Sequence, residues 1–193
     1  TCFVQGMPMN RIRLLEGVVV SAAIGVRLAA ASSLSSTGYS RYPLVDAYTY
    51  WAQATRLFDG GDPFVGGFYQ PPGYPIFLSW LQHIGATDVW GPRFLQLGLG
   101  MMTTVLLMYI GRRLGGEKRR WFGAVAGAVY TLYPTTVLFE LDLLTPACTG
   151  FITAVLLVLV TPSAALWQYF SAALLAGLAS TLHPSFLIVS VAI

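Results

Sequence analysis

The sequence predicts an all-α, polytopic transmembrane helix bundle with an outer-face loop that carries amphipathic interfacial helices. Three observations carry this. Hydrophobic residues make up 55% of the 193 and charged residues only 10%, where a soluble domain holds roughly a quarter. Apolar runs of spanning length recur along the chain. The basic residues gather at the ends of those runs, where membrane topology uses them, so the pI of about 9.0 does not call for nucleic acid as a partner.

The first run extends from Leu14 to about Leu34, long enough for ~30 Å of hydrocarbon at ~1.5 Å per residue. Arg11 and Arg13 precede it. Ala29, Ala30 and Ala31 resemble a signal-peptide cleavage site, but Arg27 interrupts the apolar region and argues for a retained span. Further runs follow at Phe94–Gly111, Trp121–Phe139, Leu143–Thr161 and Ala164–Leu182, before His183 and Pro184 break the pattern ahead of a partial sixth. The chain reads as the N-terminal part of a longer protein or as a truncated relative.

Parity sets the orientation. With the N-terminus cytoplasmic in a plasma (inner) membrane, Arg11, Arg13, Arg112, Arg113, Lys118, Arg119 and Arg120 fall inside, while Arg41, Arg56 and Arg93 fall outside. The apolar stretch from Pro72 to Gly85 is too short to span and suits an interfacial or re-entrant helix. Residues 35–92 then form one large outer loop within a single domain covering 1–193.

Within this loop, DAYTYWAQATRLF (46–58) has helical periodicity. Ala47, Tyr50, Trp51, Ala54, Leu57 and Phe58 form an apolar stripe, with Asp46, Thr49, Gln53 and Arg56 opposite. Such a helix should lie along the interface, with Gln53 toward water. Asp46 opens it, so its carboxylate can cap free N–H groups or serve chemistry. The stretch GGDPFVGGFYQPPGYP (60–75) reads as a shaped turn leading into a helix begun by Pro75. Cys148 lies in an apolar run and reads as a small core residue, and the spacing of His83 and His183 offers no metal site.

The order of these features is informative. An acidic residue opens an amphipathic helix after the first span, a Gly-Asp turn leads to FYQPPGYPIFL, and Arg93-Phe94-Leu95-Gln96 precedes a span ending in GRRLGG. Later comes AGAVYTLYPTTVLFELDLL. From about Arg13 to Pro184 this order resembles the N-terminal part of the C-type membrane glycosyltransferases, the group of protein O-mannosyltransferases and lipid A aminoarabinose transferases. The resemblance implies an inverting enzyme that takes sugar from a polyprenyl-phosphate lipid at the outer face, without a cofactor, with Asp46 as the catalytic carboxylate. A carboxylate there can accept the acceptor's proton or stabilise an oxocarbenium-like transition state. Arg27, Arg56, Glu140, Asp142 and His183 are the candidate substrate contacts. Where many relatives carry a second acidic residue, a basic residue before the paired prolines, and Arg or Lys before a later proline, this chain has Ala47, Gln70 and His183. These departures favour the alternative of a non-catalytic subunit that partners other membrane proteins.

Arg27 lies ~20 Å beyond Leu14 on a helix, where it either snorkels or turns into the bundle. Arg56 sits too far along its helix to touch Asp46. Arg41 reads as solvated, Arg93 as an interface anchor, and Trp51, Trp80 and Trp90 as an aromatic belt.

Overall fold

A computed structural model of the chain describes residues 8–64, 70–160 and 165–192. Among these every regular element is helical. Two helices are long and apolar enough to cross a membrane: α1 (Met9–Ser35) and α4 (Trp90–Gly115). Both overrun the apolar runs that announced them, because each helix continues into the polar residues at its ends.

Between them lie a 3-10 turn (Gly38–Ser40), α2 (Val45–Phe58) and α3 (Gly73–His83). The helix expected over 46–58 is present. Its stripe packs as the period requires, with Ala47, Tyr50 and Ala54 buried. Gln53 departs from expectation: it is half-buried and its Oε1 faces no solvent. α3 starts two residues before Pro75, and its 11 residues are too few to span. The pair is joined by Tyr50 edge-on to Tyr74 at 5.0 Å and by Gln82 Nε2 donating to Thr55 Oγ1 at 3.3 Å.

The third expected run is a broken helix. α5 (Phe122–Leu132) and α6 (Pro134–Leu141) meet at a 58° bend and make a third span only if counted together. Pro134 is the cause: it supplies no N–H to the helix before it, and Tyr133 takes an extended conformation to accommodate it. The fourth and fifth runs become α7 (Pro146–Leu159) and α8 (Leu166–Ala179), of 14 residues each. At ~1.5 Å per residue each covers about 21 Å, short of a ~30 Å core. Asp142 to Thr145 form a link instead of the first turn of α7, and residues 161–164 lie outside the described part. α9 (Phe186–Ala192) follows.

α4 is the hub, with α1, α5, α6 and α7 packed around it, while α8 leans on α7 and α9. Gly111 and Gly123 bring α4 and α5 together, since a Cβ on Gly111 would come within 2.7 Å of the Phe122 carbonyl.

Candidate functional site

Four chain segments converge at one end of the molecule: the start of α2, the turn entering α3, and the two links α6–α7 and α8–α9. The turn is pinned by a hydrogen bond from Gly73 N to the Thr181 carbonyl at 2.9 Å. Only glycine allows it, because a Cβ at position 73 would overlap Thr181. The sequence motifs QPPG and TLHP are thereby placed side by side.

Between them opens a cleft of about 480 Å³ lined by Asp46, Tyr50, Gln70, Pro71, Leu144 to Pro146, and Leu182 to Pro184. Asp46 is exposed and makes no capping bond at the α2 N-terminus, so the capping role open to it is not taken up. Immediately before it Val45 has φ = 51°, a left-handed conformation unusual for a β-branched residue. Strain of this kind costs about 1–3 kcal/mol and tends to collect at functional sites. Gln70 Oε1 is buried without a hydrogen-bond partner among the described residues. His183 Nδ1 lies 3.4 Å from the Ser185 N–H.

The cleft receives three helix N-termini, those of α2, α3 and α7, none with a side-chain cap. Each presents the positive end of a helix dipole, and α2 and α7 also present free first-turn N–H groups, whereas in α3 the Gly73 N–H is taken by Thr181 and Pro75 has none. Burial, and secondarily the nearby Asp46 carboxylate, raises the Tyr50 phenol above its ordinary value. The fully buried Tyr74 phenol is raised further, first by burial and then by Cys148, Asp142 and Tyr50. Asp142 sits beside the cleft. Its carboxyl is raised chiefly by burial, while the Leu143 N–H at 3.0 Å and Arg93 pull it back and Asp46 pushes it up.

The remaining predicted contacts are distributed differently. Arg56 is exposed in the last turn of α2, outside this cleft. Arg27 and Glu140 meet inside the molecule. Arg27 is 2% exposed and Glu140 1%; Nε and Nη2 each donate to a carboxylate oxygen at 2.7 Å, and Nη1 reaches the Ala23 carbonyl. The Tyr130 hydroxyl adds a donor to Glu140 at 3.3 Å, and Gly100 leaves room that any Cβ would take from the carboxylate. Arg27 therefore neither snorkels nor lines the Asp46 cleft, and Glu140 is an internal partner instead of an outer acidic site. Arg93 is not an interface anchor. It is buried and donates to the carbonyls of Leu141, Ser40 and Tyr39 at 2.8, 2.6 and 2.9 Å. It thus satisfies a helix-end carbonyl of α6 and ties the exit of α1 to α4.

Sequence reasoning missed the Arg27–Glu140 pairing and the part played by Thr145 and Pro146 in the cleft. The available signal was the arginine itself, since an intramembrane cation requires a partner and Glu140 borders the next bent span. Among the described residues no three His, Cys, Asp or Glu side chains cluster to hold a metal ion. Taken together, these features define a protein that is all-helical among the described residues, with two or three helices fit to cross a membrane and an open cleft of mixed polar and apolar lining at one end. Comparison with family models, curated proteins and solved structures gives no match.

Proposed function

We propose that the chain is the N-terminal part of a multi-pass membrane glycosyltransferase that transfers sugar from a polyprenyl-phosphate lipid at the outer face of the plasma (inner) membrane. The observation that carries the reading is the convergence of Asp46, Gln70 and His183 on one open cleft. Its volume of about 480 Å³ falls in the range of small-molecule sites, ~300–1,000 Å³. Asp46 is the general base or transition-state carboxylate. The donor phosphate is held by the uncapped N-terminus of α7, with His183 as the one candidate cation among the described residues lining the cleft.

Asp46→Asn in the full-length protein tests it, with a panel of polyprenyl-phosphate sugars as donors. Asn keeps the shape but loses the charge, so transfer should fall by ~10²-fold or more while expression stays near normal. An Asn variant that transfers sugar normally removes the catalytic assignment.

A second reading, a non-catalytic subunit of a larger membrane assembly, draws on the absence of any Arg or Lys among the described residues that line the cleft. It expects no transfer from wild type with any donor, and co-purification with other membrane proteins that persists in Asp46→Asn.

A further inference from the structure

The end of the molecule remote from the Asp46 cleft holds most of its positive charge. Arg11 and Arg13 lie near the start of α1, and Arg112, Arg113, Lys118, Arg119 and Arg120 lie on the last turn of α4 and the residues after it. Seven cations face only Glu16 and Glu117, a net charge of +5 in a chain whose total is +3.

The two basic segments are about a hundred residues apart in sequence yet adjacent in space. Arg112 Nη1 pairs with Glu16 Oε2 at 3.3 Å, and Arg120 Nη1 lies 3.5 Å from the Met9 sulfur. The Arg112–Glu16 contact uses up one carboxylate and leaves Arg11, Arg13, Arg113, Lys118 and Arg119 exposed, with no ion pair among the described residues. At the turn after α4, Leu114, Gly115, Glu117, Lys118, Arg119 and Phe122 line a cleft of about 500 Å³ with charged and apolar walls. Large apolar side chains flank the cations: Leu14 is 68% exposed and Leu114 81%. Both long apolar helices, α1 and α4, have an end here.

We infer that this end binds anionic phospholipid. The headgroup phosphates bridge the first turns of α1 and the α4–α5 turn, and the acyl chains run along Leu14 and Leu114. Charge complementarity selects the headgroup, and the apolar flank selects a lipid over a soluble polyanion. Each Lys or Arg near an anionic surface strengthens attraction about fivefold, and salt screens it. The inference rests on the membrane character of the chain and not on sugar transfer.

The test uses the full chain in phosphatidylcholine nanodiscs doped with phosphatidylglycerol, and the readout is the lipid retained after mild delipidation. Wild type should enrich phosphatidylglycerol about tenfold or more at low salt and lose most of that at high salt. Arg11→Gln with Arg13→Gln, and separately Arg113→Gln with Lys118→Gln and Arg119→Gln, should each cut enrichment several-fold. Arg41→Gln with Arg56→Gln should leave it unchanged. The salt titration on wild type needs no variant to fold, and an unchanged melting temperature in pure phosphatidylcholine certifies each variant. Enrichment that ignores salt, equal loss in the Arg41/Arg56 variant, or displacement of phosphatidylglycerol by a single-stranded oligonucleotide would each overturn the proposal.

Discussion

Asp46 and Asp142 are neighbouring carboxylates in unlike surroundings. Asp46 is open to solvent at a helix N-terminus, whereas Asp142 is half-buried in the α6–α7 link. A carboxyl raised by burial binds its proton more readily in the folded chain. Its contribution to stability is therefore full below the ordinary value of 3.8 and declines as pH rises through the folded value. Asp142→Asn retains an oxygen to accept the Leu143 N–H and removes the titration. Thermal unfolding of this variant in detergent should vary less with pH than wild type between the two values. A pH profile identical to wild type would show that Asp142 adds nothing to the dependence. At this scale sequence reading placed Asp46 in the first turn of α2, because a carboxylate opening a periodic segment is a local signal. It could not place Arg93, whose three carbonyl partners come from segments about fifty residues away.

The elements were legible where a single period or apolar run decides them, as in α1, α2 and α4. They were not legible at the broken third span, where the Tyr-Pro at 133–134 was visible but its 58° consequence was not. The bend brings α6 back across α1, and the Arg27–Glu140 pair fastens it there. A buried pair is weak evidence of net stabilisation, since desolvation offsets much of the attraction; removing one partner is nonetheless severe. Arg27→Leu should destabilise the chain by about 3–5 kcal/mol, read as a loss of thermal stability in detergent. The double variant Arg27→Leu, Glu140→Leu should recover most of that loss, because no uncompensated charge remains. If the double variant were as unstable as the single one, the pair would be holding the bend itself and not merely neutralising a charge. Gly100→Ala should resemble the single variant, since a methyl group there displaces the carboxylate.

For the whole molecule, the cleft fixes a topology that does not depend on counting spans. Asp46, Leu144 to Pro146 and Leu182 to Pro184 line one cavity, so α7 and α8 together leave this end and return to it, whether or not either crosses a bilayer fully. The opposite end carries Arg112 to Arg120 beside the start of α1. The molecule is thus polarised: net +5 at the basic end, while Arg41, Arg56 and Arg93 are outnumbered by Asp46, Asp59, Asp62, Asp88 and Asp142 in the segments belonging to the other. The positive-inside rule predicts a cytoplasmic basic end and an outward-facing cleft. Lys118, the only lysine in the chain, is exposed and makes this directly measurable. An impermeant amine reagent added to intact cells should leave it unmodified, and the same reagent should label it after permeabilisation. Labelling of Lys118 in intact cells would reverse the orientation, turn the Asp46 cleft toward the cytoplasm, and remove the outer face as the place of sugar transfer.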